Sequence, residues 1–327
     1  MRIYRILPLL LAVSLLTACG QPAAQGGSAS SQSSSSQDSA SSPSSSLEEN
    51  PFVDAAEIEE VDLEDEAVAL SESPAALPGF LEAVASGTLV KENSKAVIDY
   101  SNTKDGYVMV RFTAATDKRL KAQVKGPTTT YTYNLTQGKW ETFPLSDGNG
   151  SYTVTVYENI EGTKYSSVLS LTCDVALTDE FAPFLRPNQY VDYASAPNTV
   201  AKAAELTQGI TDPLKKVEAV YNFVVQNLTY DKQLAATVQS GYLPVLDTVL
   251  AKKTGICFDY AALMTGMLRS QDVPCKLVVG YAGTAYHAWI SVWSAEPGWV
   301  DGAIYFDGVS WQRMDPTFAS SGKQSAS

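Results

Sequence analysis

Lys253-Thr254-Gly255-Ile256-Cys257-Phe258-Asp259-Tyr260-Ala261-Ala262-Leu263-Met264 decides how the chain is read. A glycine-containing turn runs into an apolar segment. In that segment Tyr260, Ala261, Met264, Met267 and Leu268 recur at helical spacing, so Cys257 falls near a helix N-terminus. Unpaired N–H groups and the positive end of the helix dipole favour a thiolate there, and a thiolate is a strong nucleophile. Downstream come the only histidine, His287, and then Asp315-Pro316-Thr317. Cys, His and Asp in this order are the parts of a cysteine acyl-transfer site. If Cys257 needs an imidazole base, His287 must supply it.

Working outward from this stretch, Asp212-Pro213 places an N-cap before a proline at the first helical position. Leu214, Val217, Val220, Tyr221, Val224 and Leu228 then mark one buried stripe, and that helix ends between Asn227 and Asp231. Ser240-Gly241-Tyr242-Leu243-Pro244 breaks the chain, and Val245 to Ala251 leads into the cysteine turn. Beyond the cysteine helix, Lys276 to Tyr281 reads as a strand. Tyr286 to Trp293 alternates, with His287, Trp289, Ser291 and Trp293 on one face and Ala288, Ile290 and Val292 on the other. The tryptophan face is open to two readings, core or substrate-groove wall. A further strand runs through Ile304 to Phe306, and Trp311 to Met314 leads to Asp315. From Ser320 on, disorder is expected.

Toward the N-terminus the pattern changes. From about Leu89 to Ala176, period-two runs rich in β-branched and aromatic residues predict six or seven short strands in a β-sandwich. Asp147-Gly148-Asn149-Gly150-Ser151-Tyr152 looks like the tyrosine corner of immunoglobulin-like domains, where a buried phenol finds a backbone acceptor. Asp179 to Ala196 reads as a connection between two domains, and helical composition begins at Asn198.

The first residues read as an export signal. Met1 to Arg5 is basic, and Ile6 to Leu16 is apolar but too short to span a bilayer stably. Leu16-Thr17-Ala18-Cys19-Gly20 resembles a bacterial lipobox, which implies cleavage before Cys19 and a lipid on that cysteine. The predicted organisation is a signal over 1–18, a serine-rich flexible tether over 19–46 and an acidic linker over 47–87. The sandwich follows over 88–178, then a catalytic-type domain over 198–319 and a tail over 320–327. The expected location is the cell envelope, anchored by lipid and facing away from the cytoplasm. The acidic segment is either a solvated spacer or a docking element.

Charge and cysteine usage exclude other classes. The net charge of −13 argues against nucleic-acid partners. Eleven acids in 48–72, with a net +1 over residues 1–47, leave residues 73–327 at a net −3, so the acidity belongs to the tail. Cys19, Cys173, Cys257 and Cys275 show no CxxC spacing, a single histidine excludes two-histidine sites, and no EF-hand loop is present, so no metal or cofactor is expected. Cys173 and Cys275 are read as buried small hydrophobes, with a disulfide between them as the weaker alternative.

Residues from about Thr211 to Thr317, roughly a third of the chain, resemble the transglutaminase-like superfamily of papain-related cysteine hydrolases. Four pieces carry the likeness. They are Leu228-Thr229-Tyr230-Asp231; Gly255-Ile256-Cys257-Phe258-Asp259; the strand entering Gly280-Tyr281; and His287-Ala288-Trp289 followed by Trp311 and Asp315-Pro316-Thr317. Cys257 precedes His287 by 30 residues, and His287 precedes Asp315 by 28. The resemblance implies an α+β chain in which a cysteine-bearing helix packs on an antiparallel sheet that supplies His and Asp. On that basis Cys257 forms a thioester with an amide substrate, His287 pairs with the thiolate and protonates the leaving amine, and Asp315 orients the imidazole. The Cys257 N–H is the expected oxyanion donor. The second donor is unassigned, with Tyr242 or Gln239 as candidates. Asp259 reads as structural, either capping the first turn or pairing with a lysine. Trp289, Tyr281 and Tyr242 are the groove candidates.

Three functions follow: a cysteine acyltransferase or amidohydrolase acting on protein or peptide substrates, wall-associated ones included; a catalytically silent binding module for cell-wall polymer or a protein; and a structural lipoprotein.

Overall fold

The computed structural model describes residues 81–282, 285–295, 298–306 and 311–313. The signal, Cys19, the tether, most of the acidic linker, Asp315 and the C-terminal tail lie outside the described residues.

Eight strands build two antiparallel sheets around one core. Strands β1 (Val90–Glu92), β2 (Ala96–Asp99), β3 (Tyr107–Phe112) and β6 (Glu141–Pro144) form one sheet in the order β1-β2-β3-β6. Strands β5 (Thr130–Leu135), β4 (Leu120–Lys125), β7 (Gly150–Glu161) and β8 (Lys164–Val175) form the other, in the order β5-β4-β7-β8. Val108, Val110 and Phe112 face Leu120, Ala122, Val124, Val154 and Val156 across the shared core. The period of two in the sequence is therefore the period of burial. Strand β3 is buried on its other face too, at Tyr107 and Met109, because the chain after the sandwich returns over it. There Arg186 lies over the Tyr107 ring, 5.3 Å from its centroid, and donates to Asp105 O at 2.9 Å.

The expected count of six or seven strands falls short because β1 is three exposed residues and β2 only four. The β7–β8 hairpin is also longer than its alternation suggests, with twelve residues in each arm. Cys173 is half-buried on β8 rather than buried, and Cys173 and Cys275 are both free thiols, so the disulfide alternative is not realised.

The connection after the sandwich is packed, not free. Gln189 accepts the seam between the two edge strands β5 and β6. Its N–H donates to Thr142 O at 3.3 Å, and its side-chain amide donates to Asn134 O at 2.6 Å and to the Glu141 carboxylate. Unpaired edges are where sheets recruit other chains, and these two are covered by the protein's own connection.

The second core centres on helix α5 (Cys257–Arg269), whose thirteen residues are all buried. A helix that is apolar all round sits inside a body rather than on its surface. Helices α1 (Pro197–Leu206), α2 (Pro213–Asn227) and α4 (Leu246–Lys252) pack on it. Strands β11 (Cys275–Ala282) and β12 (Ala285–Ser294) cover another side, through Cys275, Ala288, Ile290 and Val292. Strands β13 (Gly298–Phe306) and β14 (Trp311–Arg313) complete the antiparallel sheet in the order β11-β12-β13-β14. The expected N-cap holds: Asp212 accepts from Leu214 N–H at 2.9 Å. Two small pieces were not foreseen: α3 (Lys232–Thr237), and a parallel pair of two-residue strands, β9 (Thr229–Tyr230) and β10 (Thr254–Gly255).

Tyr152 fixes the corner of the sandwich. Its buried hydroxyl donates to Gly148 O at 2.9 Å and accepts from Asp147 N–H at 2.9 Å. Tyr152→Phe keeps the ring and strands both backbone groups, so about 1–3 kcal/mol should be lost. Urea unfolding should show a lower midpoint with an unchanged slope. An unchanged midpoint would show that water replaces the phenol without cost.

Candidate active site

The turn leading into Cys257 is built by short-range constraints. Helix α4 ends at Lys253, which takes a left-handed backbone conformation (φ 53°) as its N–H closes onto Val249 O at 2.9 Å. Thr254 and Gly255 then pair with Thr229 and Tyr230, clamped by Thr229 N–H to Lys253 O and Asp231 N–H to Gly255 O, both 2.9 Å. Ile256 is extended, and Cys257 is the first residue of α5. Asp259 folds back over this turn. One carboxylate oxygen accepts from Ile256 N–H at 2.8 Å and the other from the Tyr242 hydroxyl at 2.7 Å. A Cβ on Gly255 would stand 2.6 Å from Asp259 Cβ, so glycine is the only residue this closed turn admits without movement.

Asp259 therefore caps the helix start, one of its two expected roles. Its second partner is a tyrosine and not a lysine. Burial pushes its carboxyl above the usual range, partly offset by the Tyr242 and Ile256 hydrogen bonds. Tyr242 is accordingly a tie to the helix start, its phenol also pushed up by burial and by this carboxylate. Gln239 does not fold back: it is exposed, and its amide donates to Thr237 O at 2.8 Å.

The thiol of Cys257 is buried. Burial pushes it above the ordinary thiol range; the backbone N–H groups of Ala288, Phe258 and Cys257 itself pull the other way, and the Asp259 charge adds to the rise. The expectation of a ready thiolate is thus reversed: the helix-start dipoles are present, but burial outweighs them. Tyr230, quoted from the sequence but given no role, lies at the same place. Burial, then the neighbouring Cys257 charge, push its phenol to about 12, while its oxygen takes a hydrogen bond from the Cys257 N–H. Its ring sits 6.3 Å from that of Tyr260. The signal that could have found it was its position in Leu228-Thr229-Tyr230-Asp231, one strand away from the cysteine turn in the β9–β10 pair.

His287 lies on β12, opposite Gly280 of β11 and next in sequence to Ala288, whose N–H reaches the sulfur. Its Nδ1 is buried and has no hydrogen-bond partner among the described residues. Asp315 lies outside the described residues. Trp289 is half-buried, and a Cβ on Gly280 would come within 3.2 Å of its ring, so the indole lies over the strand pair beside His287. Trp293 packs on Phe181 of the connection at 4.6 Å between centroids, which makes it a packing residue. Tyr281 is placed by its backbone in β11, opposite Tyr286. A cleft of about 420 Å³ opens between β5 and β11, walled by Tyr131, Tyr133, Tyr190, Lys276 and Val279 among others. Cys257 and His287 are not among its walls. Among the described residues no three His, Cys, Asp or Glu side chains cluster as metal ligands.

Residues 200–316 match the family model described as the transglutaminase-like superfamily. Residues 200–316 are a transglutaminase-like domain. The domain is 29% identical over 119 residues to a protein-glutamine gamma-glutamyltransferase of Pseudomonas aeruginosa, which is 32% of this chain and 17% of that protein. It is 26% identical over 117 residues to the uncharacterized protein YebA of Bacillus subtilis, 30% of this chain and 16% of that one. The chain thus matches only about a sixth of the length of these relatives. The solved periplasmic domain of TgpA from Pseudomonas aeruginosa is 20% identical, covering 66% of this chain and 74% of that one at a TM-score of 0.31.

Two substitutions test the closed turn of this transglutaminase-like domain. Gly255→Ala should cost at least about 2 kcal/mol, because either Asp259 or the β9–β10 pair must move. Asp259→Asn keeps one acceptor for Ile256 and a donor for Tyr242 but removes the titration. A carboxyl whose folded pKa is raised stabilises the fold below its unfolded value of about 3.9 and loses that contribution as pH rises through the folded value. The wild type should therefore lose stability relative to Asp259→Asn between pH 4 and neutrality, read from urea midpoints across pH. Parallel profiles would mean that the carboxyl titrates as an exposed one.

Proposed function

We propose that the chain is an envelope-anchored cysteine acyltransferase or amidohydrolase acting on peptide or glutamine-type amides. Two modules make up the folded part: an immunoglobulin-like sandwich over 88–178 and the transglutaminase-like domain over 198–319. The observation that carries the proposal is the sulfur at the first residue of a buried helix, with backbone N–H groups around it and the His287 strand alongside.

In the resting site the thiol keeps its proton, in line with the upward push of burial. His287 takes that proton as the sulfur attacks the amide carbonyl, with backbone N–H groups at the helix start as the proposed donors to the charge that develops on the carbonyl oxygen. The carbon–nitrogen bond breaks, the imidazolium gives its proton to the departing amine, and a thioester remains on Cys257. Water or a second amine then attacks the thioester, passing its proton through His287 and restoring the thiol. The Nδ1 of His287, without a partner among the described residues, suits a carboxylate acceptor, the role proposed for Asp315. The alternative, a silent binding module, would use the same fold without the chemistry.

Cys257→Ser and His287→Gln should each lower turnover of an amide substrate by at least about 10³-fold, and Asp315→Asn by less, with folding unchanged. Mass spectrometry of the wild type with an activated ester should show an acyl adduct on Cys257. Full activity in Cys257→Ser would sink the mechanism, and absence of both adduct and turnover would favour the binding module.

Anchoring by a lipid on Cys19 is proposed from the lipobox-like sequence alone. The mature protein should begin at Cys19 carrying diacylglycerol, and globomycin should make the uncut precursor accumulate. An unmodified cysteine in the mature protein would remove the anchor from this account.

A further inference from the structure

Two adjacent residues of the sandwich, Tyr133 and Asn134 on β5, lead by separate paths to two adjacent residues of the nucleophile helix, Phe258 and Asp259. On the first path the Tyr133 ring packs at a tilt against Tyr190 of the connection, 5.3 Å between centroids, and Tyr190 meets Phe258 edge-on at 5.5 Å. Tyr190 packs against both hydrophobic cores. It is held in place by its neighbours: Asn188 Oδ1 accepts from Tyr190 N–H at 3.0 Å, and Gln189 is bonded across the β5–β6 seam. On the second path Gly241 approaches Asn134 so closely that a Cβ would lie 2.9 Å from the side-chain nitrogen. Tyr242, the next residue, donates to Asp259 at 2.7 Å. Phe258 and Asp259 are the two residues after Cys257; one supplies an N–H to the sulfur and the other closes the turn beneath it.

We propose that the sandwich is a positioning module for the neighbouring active site, in which β5 holds the first turn of α5 through Tyr133–Tyr190–Phe258 and Asn134–Gly241–Tyr242–Asp259. This builds on the reading of Cys257 as nucleophile. It gives the sandwich a part in the reaction without any residue of it touching substrate. Two contacts are needed because one would fix the turn's distance from the sheet but not its rotation. Aromatic pairs of this kind add modestly to what their burial contributes, enough to bias one turn and too little to hold the domain together.

The test is made on the full folded chain with iodoacetamide as probe, quantifying alkylation at each cysteine by mass spectrometry. Tyr190→Leu and Tyr242→Phe release one path each. Each should raise the Cys257 alkylation rate about threefold or more, as local opening exposes the sulfur. Cys275 is fully buried in the same core and should stay protected, which separates movement of the turn from unfolding of the domain. Turnover should fall in the same variants, so that chemical accessibility and catalysis move in opposite directions. Tyr190→Phe, which keeps the ring, should restore wild-type behaviour. Leu171→Ala, a cavity in the sandwich core away from β5, should lower stability without changing the Cys257 rate. The proposal is overturned if Tyr190→Leu and Tyr242→Phe alkylate like the wild type, if Leu171→Ala produces the same rise, or if Tyr190→Phe fails to restore the rate. Failure of the nucleophile reading would show separately, as a wild-type chain that forms no acyl adduct while the variant-to-wild-type alkylation ratios still report on the turn.

Discussion

A carboxylate closing one helical turn is the constraint on which the site depends. Asp259 reaches back to the Ile256 N–H, and this requires the residue before Ile256 to have no side chain. With Gly255 fixed, the short parallel pairing to Thr229 and Tyr230 becomes available, and the chain enters α5 at Cys257 and at no other residue. The location of the sulfur is thus set by backbone geometry within five residues, and only its orientation is left to more distant parts of the fold. The same carboxylate works against the chemistry, since its charge pushes the thiol up. A structural requirement and a catalytic cost sit on one side chain.

Burial supplies the larger cost. A buried sulfur prefers its proton, and the backbone N–H groups aimed at it compensate only in part. Those groups are fixed dipoles, present before any charge develops, and they need no reorganisation when it does. A site arranged in this way lowers the cost of charge on the sulfur without making the thiolate its resting form. It also keeps the thiol quiet until a base is engaged, and a standing thiolate is the form most readily oxidised.

The sequence made much of this legible, but unevenly. Helix α5 could be located because its apolar residues recur with a helical period and a glycine stands just before it. The N-cap at Asp212 was visible because Asp-Pro has one favoured helical position. The sandwich strands from Tyr107 to Val156 showed through short β-branched and aromatic runs with a largely two-residue period. Strands β1 and β2 did not, since three exposed residues and a four-residue strand buried at three positions leave no period to read. The roles of Tyr230 and Tyr242 were hidden for a different reason. Each is placed by a contact with a residue 17 or more positions away, Asp259 for Tyr242 and Cys257 for Tyr230, and no local spacing reports a phenol's distant partner. The direction of the thiol's shift is not legible in the sequence, because a helix start is visible there whereas the depth of burial around it is not.

The connection between the modules shows most clearly what composition conceals. Prolines and polar residues from Asp179 to Ala196 suggest a spacer, yet Tyr193 is buried with its hydroxyl donating to Leu185 O at 2.6 Å. Arg269, at the last turn of α5, donates to Arg186 O at 2.7 Å and to Cys275 O at 2.9 Å. One guanidinium therefore ties the connection, the end of α5 and the start of β11 together, while Tyr190 ties the connection to the helix's first turn. A helix held at both ends by one segment, itself bonded across the seam of the sandwich, cannot shift along its axis unless the seam opens. That rigidity is what a nucleophile needs, because an error of about an ångström in its placement can cost on the order of a hundredfold in rate.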